Sequence, residues 1–248
     1  MAGEARAVAG ALPNLVIIGA MKCGTTALHR LLDEHPDIAM ARGKELNFFF
    51  GPAADPGENA ASTWHRGLGW YASQFDASAA IRGESSPGYT SPDHPEAAGR
   101  MAAVLPGVRL VYVVRDPIER AISQYRHHRA DGTEPRTAAD ALLDPGSQYI
   151  ARGRYFDRLT PFLRKFGREQ ILVVSQEDLL NDPGHCLDRL YRFLGVKTHV
   201  SPARRWNVAR GDDVVLPRRL RDRLGREFAD DIARLREFTG HEFATWSV

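Results

Sequence analysis

Short apolar runs and apolar stripes at helical spacing alternate along the chain. Leu15–Gly19, Ile81–Glu84, Val108–Val114 and Gln170–Ser175 are brief runs, rich in β-branched residues and bounded by Gly, Pro or polar positions, and each is predicted to be a strand. Between them, apolar residues recur one helical turn apart. Leu28, Leu31 and Leu32 mark one buried face; Tyr155, Leu159, Phe162, Leu163 and Phe166 mark a second; Leu187, Leu190, Tyr191 and Leu194 mark a third. Strands alternating with helices of this length predict an α/β fold with a central, mostly parallel sheet flanked by helices. Neither a linker nor a repeat interrupts the 248 residues, so one domain is expected over 1–248, with 1–13 as a flexible N-terminus.

The first strand runs through Gly19-Ala20-Met21-Lys22-Cys23-Gly24 directly into Thr25-Thr26 and the first helix. Glycines at the two ends of this loop allow a tight turn and a close backbone approach, and the following helix N-terminus favours negative charge. The spacing Gly19-x4-Gly24 is that of a P-loop. A Walker loop, however, places lysine directly after its second glycine, where Thr25 stands here, and the lysine of this chain lies inside the loop at Lys22. The expectation is a P-loop-like anion site for a nucleotide without a metal-bridged triphosphate.

With its flanks, Ile17 to Leu28 followed by Leu31-Leu32 and His35-Pro36, the loop resembles the 5′-phosphosulfate loop of the sulfotransferases that use 3′-phosphoadenosine 5′-phosphosulfate (PAPS). Leu110 to Tyr125 resembles the 3′-phosphate motif of the same family, a strand ending in Arg115 followed eight residues later by Ser123. Arg115 offers a planar fork suited to phosphate. Asp116 can cap the helix, Pro117 suits its first turn, and Ser123 lies about two turns along it. Lys44-Glu45-Leu46-Asn47-Phe48-Phe49-Phe50, with Gly67-Leu68-Gly69-Trp70-Tyr71 and Gly83-Glu84-Ser85-Ser86-Pro87-Gly88-Tyr89, narrows the resemblance to the heparan sulfate and related Golgi-type branch.

The resemblance implies a fold with PAPS as sulfonate donor, 3′,5′-adenosine bisphosphate (PAP) as product, and no metal. Lys22, Cys23, Gly24, Thr25 and Thr26 would bind the 5′-phosphosulfate, Arg115 and Ser123 the 3′-phosphate, and a basic, glycine-containing loop at Arg210-Gly211, or at Arg205, would close the site. Glu45 would be the general base and Lys22 the catalytic cation. A carboxylate beside three phenylalanines is expected to be partly desolvated, which raises its pKa toward a useful range; Glu84 is a supporting carboxylate or an alternative base. The branch carries a histidine at Asn47, an acid at Phe50 and a lysine at Ser85, so these departures count against a glycosaminoglycan acceptor and Phe50 points to a more apolar pocket. The acceptor is left open among small molecules, lipids and saccharides.

Composition narrows the remaining classes. The formal net charge of +2 gives no support to a nucleic-acid partner. Two cysteines, Cys23 and Cys186, are too few for a disulfide framework or metal cluster. Neither a signal-like segment nor a membrane-length apolar run is seen, and a cytoplasmic, unanchored protein is expected. His127-His128 read as surface residues, most of the arginines from Arg204 to Arg226 as a solvated face, and Trp64, Trp70 and Tyr71 as core. The rivals are a P-loop-type nucleotide kinase, which the missing Walker lysine disfavours, and a catalytically silent nucleotide-binding protein, which has no use for Glu45.

Overall fold

The computed structural model describes residues 12–52, 61–200 and 215–248. Among them five strands, β1 (Leu15–Gly19), β2 (Ile38–Met40), β3 (Ile81–Ser85), β4 (Arg109–Val114) and β5 (Ile171–Ser175), form one parallel sheet in the order β2-β3-β1-β4-β5. Every residue of β1 is buried, although successive side chains point to opposite faces. Both faces of the sheet are therefore covered, as parallel sheets require.

The cover comes from helices α1 (Thr25–Asp33), α2 (Gly67–Ala72), α3 (Ala97–Val104), α4 (Pro117–Ala130), α5 (Ala138–Leu142), α6 (Gln148–Ala151), α7 (Tyr155–Leu163), α8 (Gln176–Asn181), α9 (Pro183–Leu194) and α10 (Arg218–Thr239). The stripes of α1 and α9 are buried as their spacing predicts. On the stripe that begins at Tyr155, Leu163 is half-buried and Phe166 packs from beyond the end of α7. In α10 the apolar positions Leu224, Phe228, Ile232 and Leu235 recur at helical spacing and are all fully buried.

Three expectations change. β2 was not anticipated, because three residues carry too short a pattern to register. The stretch from Asp131 to Gly153, where no helical stripe is predicted, contains α5 and α6, capped by the Thr137 and Ser147 hydroxyls. Residues 1–11 lie outside the described part, but Leu12 and Pro13, assigned to a flexible terminus, are held against the sheet: Pro13 is buried and the Leu12 carbonyl accepts from Arg82 Nε at 2.9 Å.

The order of the sheet decides where a ligand can sit. β1 lies between β3 and β4, so the segments leaving the carboxyl ends of these three neighbouring strands converge. Open α/β sheets bind ligands at this edge.

Candidate active site

The loop after β1 leaves the sheet abruptly. Register with β4 slips between Ile17 and Gly19, and a Cβ on Gly19 would overlap Thr90 and Tyr112. Ala20 N donates to Val113 O at 2.6 Å and Cys23 N to Ala20 O at 3.2 Å, which closes a tight turn. Lys22 (φ 69°) and Gly24 (φ 89°) both adopt left-handed backbone. Gly24 is the N-cap of α1 and offers no side-chain cap, and the first turn contains no acidic residue. Ala27 N donates to Gly24 O at 3.0 Å, and the N–H groups of Thr25 and Thr26 before it are left for an anion.

Cys23 does not share this surface. Its side chain is fully buried 3.5 Å from the Tyr155 hydroxyl, its N–H is spent on Ala20, and burial pushes the thiol up to about 11. It supports the loop from behind, so the expected phosphate contact falls to its neighbours.

α4 supplies the second wall. The Asp116 side chain accepts from Ile118 N at 2.8 Å and Glu119 N at 3.2 Å, and Pro117 fills the first turn. Arg115 leaves β4 with its carbonyl fixed by the Tyr155 hydroxyl at 2.8 Å. Arg115 and Ser123 open onto the same cavity of about 710 Å³ as Lys22, Gly24, Thr25, Thr26 and Glu45. Arg205, Arg210 and Gly211 lie outside the described residues.

The third wall hangs on the end of β3. Glu45 N donates to Ser85 O at 2.8 Å and Asn47 N to Ser86 Oγ at 3.0 Å. Glu45 (φ 63°) and Asn47 (φ 53°) are left-handed non-glycine residues, and with Lys22 they are three of the four such residues among those described. All three line the cleft. Strain of this kind, about 1–3 kcal/mol per residue, persists where the surrounding structure enforces it and concentrates at functional sites.

The desolvation expected at Glu45 is not found. Phe48, Phe49 and Phe50 form a single 3-10 turn whose rings enter the core, Phe48 stacking on Tyr71 at 4.3 Å. The Glu45 side chain stays 51% exposed and pairs with Lys44 Nζ at 2.6 Å. Glu84 is the buried carboxylate. It is wholly enclosed, accepts from the hydroxyls of Tyr71 (2.5 Å), Ser86 (2.7 Å) and Tyr89 (2.9 Å), and does not line the cleft. Burial pushes its pKa up, against those three donors. Burial also lowers the pKa of Lys22; Asp131 and Glu45 oppose the shift and Arg115 adds to it.

Several cleft residues carried no sequence signal. Arg152, on the connection after α6, is ion-paired with Asp93 at 2.7 Å. His94 stacks on Phe50 with ring centroids 3.5 Å apart, and burial lowers its pKa. Both belong to segments without periodic pattern. Lys44 was visible as the neighbour of Glu45, and Arg126 and His127 lie one turn beyond Ser123. His127 is 45% exposed and pairs with Asp131 at 3.4 Å, so it is a surface residue that also borders the cleft. Tyr71 is buried; Trp64 and Trp70 are half-buried against the core. Of the arginine run, Arg218, Arg219, Arg223 and Arg226 are exposed, whereas Arg221 reaches Glu119 at the cleft edge at 2.8 Å. No group of three or more His, Cys, Asp or Glu side chains able to hold a metal occurs among the described residues.

A model of the sulfotransferase family matches residues 13–200, three quarters of the chain. The chain belongs to the sulfotransferase family. Among solved structures, a sulfotransferase from Alicyclobacillus acidocaldarius superposes with a TM-score of 0.80 at 30% identity, covering 95% of this chain and 99% of that one. Mouse heparan sulfate glucosamine 3-O-sulfotransferase 3B1 is 35% identical over 196 residues, 75% of this sulfotransferase and 47% of its own length. The bifunctional heparan sulfate N-deacetylase/N-sulfotransferase 1 of Caenorhabditis elegans is 29% identical over 199 residues, 22% of its length. This sulfotransferase thus spans about half the length, or less, of the curated relatives it matches. No helix among the described residues is long and apolar enough to cross a membrane.

Proposed function

We propose that this chain transfers the sulfonate group of PAPS to a hydroxyl or amine of an acceptor, with release of PAP and without a metal. The observation that carries the reading is the convergence, in one cleft, of an uncapped helix N-terminus, Lys22, the Arg115–Ser123 wall and Glu45. The residues present fit the nucleotide. A Cβ on Gly24 would press on Gln176 Nε2 at 2.7 Å, so the loop is shaped by the absence of a side chain, and Thr25 and Thr26 add hydroxyls beside their free amides.

When bound, PAPS supplies a sulfonate activated by its phosphate anhydride linkage. Thr25 and Thr26 hold the 5′ end, and Arg115 and Ser123 hold the 3′-phosphate. Lys22 offsets the charge that builds on the leaving phosphate oxygen, help of the kind worth about 3–4 kcal/mol per donor. Glu45 exchanges its contact with Lys44 for the acceptor and takes the acceptor proton. The new bond joins sulfur to the acceptor oxygen or nitrogen as the bond to the phosphate oxygen breaks.

By their names, the curated relatives act on heparan sulfate. Phe50, Pro87, Gly88 and the ring of His94 give the acceptor side of this cleft an apolar, weakly basic wall, which favours a less anionic acceptor than a glycosaminoglycan. The deciding measurements are calorimetry of PAP, AMP and ATP in chelator, then labelled sulfonate transfer across small-molecule, lipid and saccharide acceptors. PAP should bind far more tightly than AMP or ATP; equal affinities, or a strict magnesium requirement, would overturn this reading.

A further inference from the structure

Beyond α10 the chain turns back to the carboxyl ends of β4 and β5. Ser247 donates twice to Asp116 Oδ2, from its N–H at 2.6 Å and from its hydroxyl at 2.6 Å. Trp246 Nε1 donates to Glu177 Oε2 at 3.0 Å. The two acceptors are themselves joined, because Asp116 N donates to Glu177 Oε1 at 3.0 Å. Asp116 Oδ1 meanwhile caps α4 through Ile118 N and Glu119 N. Trp246 also packs on the Tyr155 ring, whose hydroxyl holds the Arg115 carbonyl, and Phe243 stacks beneath Trp246 with centroids 4.2 Å apart.

The peptide between Arg115 and Asp116 is thus fixed from several sides. Asp116 is nearly buried, and its four acceptor bonds divide evenly between the helix cap and Ser247. A carboxylate anchored at both oxygens cannot turn, so the cap and the start of α4 hold one orientation. Neither Trp246 nor Ser247 lines the cleft, and both lie beyond residues 13–200, where the family model ends.

We propose that Trp246 and Ser247 are positioning residues for recognition of the 3′-phosphate. They act through Asp116 and Glu177 to aim Arg115 and Ser123 at one point. The proposal rests on the reading that Arg115 and Ser123 bind that phosphate, and its signature is selectivity rather than general affinity. AMP lacks the 3′-phosphate and so tests the rest of the site.

The experiment is calorimetry of PAP and AMP on the full chain, comparing wild type with Ser247→Ala, Ser247→Thr and Trp246→Leu, each with a thermal melt. Ser247 is exposed, so its variants fold even if Trp246→Leu does not. Ser247→Ala and Trp246→Leu should cut the preference for PAP over AMP about five- to tenfold, less than a whole charge-assisted hydrogen bond because the lost contact reaches the phosphate only through Asp116 and Glu177. Ser247→Thr should restore it, and AMP affinity should stay constant. An unchanged ratio in Ser247→Ala, or equal weakening of both nucleotides, overturns the proposal. A wild-type chain with no preference for PAP overturns the reading of Arg115 and Ser123 first, and this inference with it.

Discussion

Glu45 and Glu84 are both tied to the end of β3, yet their surroundings give them different work. Glu84 answers three buried hydroxyls and does not line the cleft, while Glu45 is half-exposed on the cleft wall. Glu84→Ala should cost about 3–5 kcal/mol of stability, measured by denaturant unfolding, because it leaves a cavity and strands those hydroxyls. Glu45→Gln should lower transfer by about 10²–10⁴-fold while PAP binding is retained; near-normal turnover in a folded variant would end its role as base. Lys22 carries a pH signature. A lysine is charged below its pKa, and burial lowers this one from 10.5, so the alkaline limb of kcat/KM, which reports the free enzyme, should fall below that value. Lys22→Arg should move the limb upward, since guanidinium stays charged.

At the level of elements, what is local in sequence was legible and what depends on packing was not. The four longer strands and the two motif loops could be read because each is a contiguous run whose spacing states its geometry. β2 is three residues long, and α5 and α6 owe their ends to single capping hydroxyls inside a polar stretch. His94 and Arg152 entered the cleft through tertiary placement alone. The desolvation of Glu45 was misjudged for a related reason: adjacency to Phe48–Phe50 in the chain does not put the carboxylate among their rings, because the 3-10 turn sends the rings inward. Left-handed backbone makes the loop of β1 brittle. Gly24→Ala must hold φ near 89° and displace Gln176, so it should cost about 1–3 kcal/mol and weaken PAP binding. Calorimetry paired with a melt separates the two losses.

For the molecule as a whole, a nucleotide gripped by the ends of two neighbouring strands should stabilise the entire sheet. PAP at a hundred times its Kd should raise stability by about 2.7 kcal/mol, seen as a higher Tm that chelator does not alter. The order β2-β3-β1-β4-β5 also governs how the protein is born. β1 is made well before its neighbour β4, and its residues from Leu15 to Ile18 are fully buried in the finished sheet. Until Arg109–Val114 leaves the ribosome, however, one side of β1 is a bare apolar edge, the kind that recruits other strands. A nascent chain stalled before residue 109 therefore has the loop of β1 without the Arg115–Ser123 wall, and an adhesive flank. Ribosome-bound intermediates of that length should depend on chaperones, and the dependence should end abruptly once β4 emerges.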